Sequence, residues 1–276
     1  MARVLGILAI VAPLAGVSLP AWAQSPELMA AYEQYKVLST NGKYAAAEPF
    51  AQKALALGKE EFGAGHESYV GLLNNLAEVS RAQKRYDEAE SLLKNALTIS
   101  EESFGFEHPN VATAANNLAG LYQSQGRFRD AEPLSKRALA IREKMLEPGH
   151  VHVGQSLNNL ADLYRSQGKP ADAEALYRNS LAIWEKALGE DHPAVGTALN
   201  NLAMLYQDLK RHDEAEQLYK RSLAVLEKSF GPDHLKVAAV LDNLKNFYQV
   251  QGRYNEARPY RKRAWAIKKK AKSKKH

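Results

Sequence analysis

The chain contains no cysteine. That excludes disulfides, a thiol nucleophile, thiolate metal ligation and a lipid anchor on an N-terminal cysteine. Beyond residue 23 it also lacks any apolar run approaching the roughly 20 residues that span a bilayer. No acidic residue follows Glu256. No nucleophile–base pair, Gly-rich phosphate loop or paired-carboxylate constellation stands out. The sequence therefore predicts no enzyme, no cofactor and no resident metal.

Charge is distributed unevenly. The net charge of the 276 residues is +6. Residues 24–257 carry 26 basic and 31 acidic groups, and from Arg258 onward there are ten basic groups and no acid. The body is mildly acidic, whereas a nucleic-acid protein carries a basic stripe across its body. Residues 268–276 read as a basic C-terminal tail, suited to weak contact with an anionic envelope surface.

The first 23 residues stand apart. Arg3 precedes an apolar run from Leu5 to Val17, and Ala21-Trp22-Ala23 has the small-x-small pattern of a cleavage site. This is the arrangement of a secretory signal peptide. It predicts a mature start at Gln24 and a periplasmic or secreted protein.

What dominates the remainder is repetition. Asn74-Asn75-Leu76-Ala77 recurs at Asn116, Asn158 and Asn200, and in decayed form as Asp242-Asn243-Leu244-Lys245, always 42 residues on. A period of this size signals stacked units, each burying its apolar face only against its neighbours. In the unit from Pro109 to His150, Ala115, Leu118, Ala119 and Tyr122 share one helical side. Gln125-Gly126-Arg127 breaks the pattern, and Ala131, Leu134, Ala138 and Ile141 form a second stripe. The reading is an antiparallel helix pair. Small residues at 119, 131 and 138, and at their equivalents, let the helices approach closely.

The spacing Leu-Ala-x-x-Tyr, followed by spaced alanines, resembles the tetratricopeptide repeat. The 42-residue form, with Asn-Asn-Leu-Ala-x-Leu-Tyr from Asn200 to Tyr206, is similar to the repeats of kinesin light chain. The resemblance implies an all-α, right-handed superhelical solenoid of about six antiparallel pairs over residues 24–272. Repeat boundaries fall near 26–66, 67–108, 109–150, 151–192, 193–234 and 235–272. Gln34 and Tyr35 replace Leu-Ala in the first unit and Lys245 replaces Ala in the last, as terminal caps facing water require.

In such stacks the first helix of each pair lines a concave groove. Carried onto this sequence, the groove stripe is Asn75, Asn117, Asn159, Asn201 and Asn243, with Glu78, Asp162 and Asn246 one turn on. A side-chain amide both donates and accepts, so a ladder of Asn suits the backbone of an extended peptide. The competing role is to fix repeat stacking, which is the expectation for the first Asn of each pair. Because the groove offers carboxylates, a neutral or basic protein segment is the expected partner. The resulting function is a protein–protein interaction scaffold; the alternative is a structural envelope module acting through convex or terminal surfaces.

His66, His108, His150, His192 and His234 also recur at the repeat period. Metal ligands converge within ~2 Å of one ion, while packed helices lie ~8–10 Å apart. Helix-entry residues are the expectation instead. The basic residues Lys94, Lys136, Arg178 and Lys220 fall on second helices and read as a solvated convex face.

Overall fold

A computed structural model describes residues 25–273, so the expected signal peptide lies outside the described residues. Every regular element in the described range is helical. The helices form two compact units. The first, ending at Leu146, contains α1 (Pro26–Thr40), α2 (Tyr44–Phe62), α3 (Glu67–Ala82), α4 (Tyr86–Phe104), α5 (Pro109–Ser124) and α6 (Phe128–Met145). The second, beginning at Glu147, contains α7 (Val151–Ser166), α8 (Pro170–Leu188), α9 (Pro193–Asp208), α10 (His212–Phe230), α11 (Leu235–Val250) and α12 (Tyr254–Ser273). Each expected repeat holds one helix pair, and within each unit consecutive pairs pack on one another.

Each pair is closed by a three-residue turn whose middle residue is left-handed. Gly126 has φ 73° and Gly168 φ 74°, a conformation in which a Cβ is disfavoured. Lys84 (φ 63°) and Lys210 (φ 61°) occupy the same position in their repeats. Between pairs, the five recurring histidines are N-caps: each Nδ1 accepts the backbone N–H two residues on, at 3.1–3.2 Å. A Phe ring from the preceding helix stacks on that imidazole at His66, His108 and His234, with centroids 4.6–5.1 Å apart. The histidines thus satisfy orphan helix N–H groups. Among the described residues no three metal-ligating side chains gather at one point.

The small residues lie where the helices touch. Ala119, Ala131 and Ala138 are at most 3% exposed. In the second unit Ser180 and Ser222 stand in for the third alanine, and their hydroxyls donate across the pair to the carbonyl oxygens of Gly154 (2.7 Å) and Gly196 (2.6 Å). A Cβ on Gly196 would lie 2.8 Å from buried Leu226, so glycine sets this approach.

Ion pairs tie successive repeats together. Arg85 meets Glu48 at 2.6 Å and Arg127 meets Glu90 at 2.6 Å in the first unit. Arg211 meets Glu174 at 2.9 Å and Arg253 meets Glu216 at 2.9 Å in the second. The same carboxylates also take the cation four residues on: Lys94 on Glu90, Arg178 on Glu174 and Lys220 on Glu216. These second-helix basic residues are therefore largely neutralised by the recurring Glu. At the C-terminal end α12 runs to Ser273, so the expected tail is helical as far as that residue and 274–276 lie outside the described residues. Lys268 pairs with Asp242, and Lys270 with Asp233 at 2.5 Å.

Candidate interaction surface

In the first unit the first helices present one side that is less buried than the rest, and Asn75, Glu78 and Asn117 fall on it. In the first unit this side is open. Asn75 and Asn117 are half-buried and Glu78 is exposed. A Cβ built on Gly71 or Gly120 would meet nothing within 4 Å. The side-chain amides of Asn75 and Asn117 make no hydrogen bond among the described residues. Glu78 reaches solvent but is crowded by neighbouring helices. Loss of hydration holds its carboxyl above the ordinary range, against the opposing pull of Arg81 and the Tyr35 hydroxyl.

The second unit uses the same residue types differently. Asn201 is buried, and its amide donates to Asn158 Oδ1 at 3.1 Å and to Asp162 Oδ2 at 3.4 Å. Asn243 repeats the rung one period later, donating to Asn200 Oδ1 at 2.8 Å. Asn158 also donates to Asp162 at 3.2 Å, and the Tyr177 hydroxyl donates to the other Asp162 oxygen. Burial raises the Asp162 pKa, while the Tyr177 hydroxyl, Arg165 and Asn158 act in the opposite direction. Met204 is buried beside Asn200. Here the amides of Asn201 and Asn243 fix stacking, as does the Asp162 carboxylate. Asn159 keeps an uncommitted, half-buried amide, and Asn246 is exposed.

The rung has a simple origin. The first Asn of one repeat and the second Asn of the next are 43 residues apart, and both are held on facing first helices by the same Leu-Ala-Tyr face. In the first unit the corresponding pair, Asn74 and Asn117, does not bond. Asn74 is 6% exposed and its Oδ1 has no partner. The doubled Asn in the sequence is the signal that could have announced the rung.

Tetratricopeptide repeat models match residues 36–68, 68–144, 152–228 and 195–270. The chain belongs to the tetratricopeptide repeat family. This is a fold that serves protein–protein interaction, and catalysis is not its general role. Among curated protein sequences none matches this tetratricopeptide repeat chain. Solved structures share its fold. BtubC (BKLC) from P. vanneervenii is 24% identical with a TM-score of 0.63, over 87% of this chain and 91% of that one. A kinesin light chain protein of nearly identical TPR-like repeats from Podosopora anserina is 26% identical with a TM-score of 0.56, over 75% and 99%. A Rap protein complexed with Competence and Sporulation Factor is 16% identical with a TM-score of 0.67, over 90% and 76%.

Proposed function

We propose that this tetratricopeptide repeat protein is an exported adaptor that holds an extended, neutral or basic protein segment along the first-helix face of its first unit. One observation carries the reading. The open amides of Asn75 and Asn117 flank the bare backbone at Gly71 and Gly120, whereas the equivalent amides of Asn201 and Asn243 are already bonded. An open amide can both donate to and accept from a peptide backbone. Glu78 at the same face adds an acceptor for a basic side chain. A stack of the same fold has been solved with a bound factor, the Rap complex, which supports the same use here. The Ala21-Trp22-Ala23 pattern supports export, with the periplasm as the working compartment.

The test is site-specific crosslinking in the native cell. A photoreactive residue at Gly120 should trap a discrete partner, and one at Lys136 on the convex side should not. Replacing both Asn75 and Asn117 by Ala should lower the yield severalfold without lowering the melting temperature. Equal trapping from both positions, or trapping indifferent to the double substitution, refutes the groove. Mass spectrometry of the same preparation should find a chain beginning at Gln24, and a full-length chain alone would refute export.

A further inference from the structure

The outward face of α12 breaks the charge pattern of α4, α6, α8 and α10, in each of which a Glu neutralises the cation four residues on. Counting back 42 residues, Arg258 stands where Glu216, Glu174 and Glu90 stand. Those carboxylates neutralise the cation four positions on, so Lys262 has lost its counterpart and gained a like charge instead. Arg261 stands where α10 has buried Tyr219, and Lys268 where it has buried Leu226. Trp265 is 62% exposed and Tyr254 68%.

At ~100° per residue, Tyr254, Arg258, Arg261, Lys262, Trp265 and Lys269 fall within a sector of roughly 100°, whose centre lies about 90–170° around the helix from the buried Ala257, Ala264 and Ile267. The stripe is roughly 22 Å long at 1.5 Å per residue. Arg258, Arg261 and Lys262 are exposed and have no ion-pair partner among the described residues. Lys269 lies 4.9 Å from the centroid of the Trp265 ring. A water-facing cap requires only polar residues of either sign. It requires neither charge of one sign nor an exposed indole.

We propose that this face docks on a bilayer carrying anionic lipids. The exposed cations are spread along the helix rather than gathered at one point, which suits a charged surface more than one headgroup. Arg and Lys are drawn to an anionic leaflet, while Trp and Tyr settle at the headgroup level. The cations would lie over phosphates, with Trp265 entering the interface between them. No helix among the described residues is long and apolar enough to cross a membrane, so the contact is peripheral. It is independent of the groove, which lies on first helices.

The experiment uses the full chain with vesicles of phosphatidylcholine, with and without phosphatidylglycerol. Adding phosphatidylglycerol should raise cosedimentation and shift Trp265 emission to the blue, read as the difference from Trp265→Phe. Trp184 is buried and should not respond, and the Trp22 contribution, common to both proteins, cancels in the difference. Arg258→Glu combined with Lys262→Glu should reduce the phosphatidylglycerol-dependent part about tenfold or more, and salt should do the same. Both side chains are exposed, and circular dichroism confirms that the variant is folded. An unchanged increment in the variant, or Trp265 emission indifferent to the vesicles, overturns the proposal. Binding of α12 to an acidic protein with no vesicle response overturns it equally.

Discussion

The side-chain amide of Asn201 donates to Asn158 Oδ1, 43 residues earlier, at 3.1 Å. Neither residue occupies a remarkable place in its own helix, and the bond exists only because two repeats stack in register. Its removal should therefore be felt as lost stacking. Asn201→Ala strips a buried acceptor of its donor and should lower unfolding stability by about 1–3 kcal/mol. Asn117→Ala, at the same repeat position but with an open amide, should stay within about 0.5 kcal/mol. Chemical denaturation of the two variants makes the comparison directly, and equal losses would show that the rung holds nothing.

The His234 cap makes stability depend on pH. An imidazole can accept at Nδ1 only while that nitrogen is unprotonated. Burial, followed by the charge of Lys236, lowers the His234 pKa below the ordinary 6.5. As pH falls, the unfolded chain takes up this proton before the folded one does. The contribution is thus complete above about pH 6.5 and declines as pH drops below it through the folded value. Denaturation curves at about pH 7.5 and about pH 5 should differ less in His234→Asn, which keeps a cap that does not titrate. At neutral pH, His192→Ala should lose ~0.5–2 kcal/mol and His192→Asn much less.

Two helix-pair turns carry lysine in a conformation that favours glycine. Lys210→Gly should raise stability by about 0.5–1 kcal/mol, because relief of the left-handed strain outweighs the added freedom of the unfolded chain. Gly168→Ala should lower it by roughly 1–2 kcal/mol. A Cβ at Gly168 meets nothing within 4 Å, so the whole loss would come from the backbone. Thermal melts of the two variants should move in opposite directions.

The sequence disclosed whatever repeats. Leu76, Leu118, Leu160 and Leu202 announce the first helices, and the small residues at 89, 131, 173 and 215 announce the close contacts. The His positions announce helix entries because a histidine before Pro109 or Pro193 has no other periodic purpose. What it concealed depends on pairing across repeats. Asn117 and Asn201 share the motif Asn-Asn-Leu-Ala, yet one amide is open and the other buried and bonded. Asn201 bonds to Asn158 and Asp162 of the preceding repeat whereas Asn117 bonds to neither Asn74 nor Glu78, and no local window contains that pairing. Lys268 and Lys270 read as a loose basic end because their acids, Asp242 and Asp233, lie 26 and 37 residues back. Only the folded packing of α12 against α11 and the connection before it brings them together.

The Glu–Arg pairs between repeats have a consequence for the architecture of the gene product. Glu48 reaches forward to Arg85, and Glu90 reaches forward to Arg127, over the same 37-residue interval. Excising residues 85–126 would therefore bring Glu48 to the same interval from Arg127, and inserting a further copy would supply a matching acid and base at both new junctions. Every seam is interchangeable with every other that carries this pair. Such a chain can be lengthened or shortened by whole periods without redesigning a join, so the span it offers a partner can change while its chemistry at each junction does not.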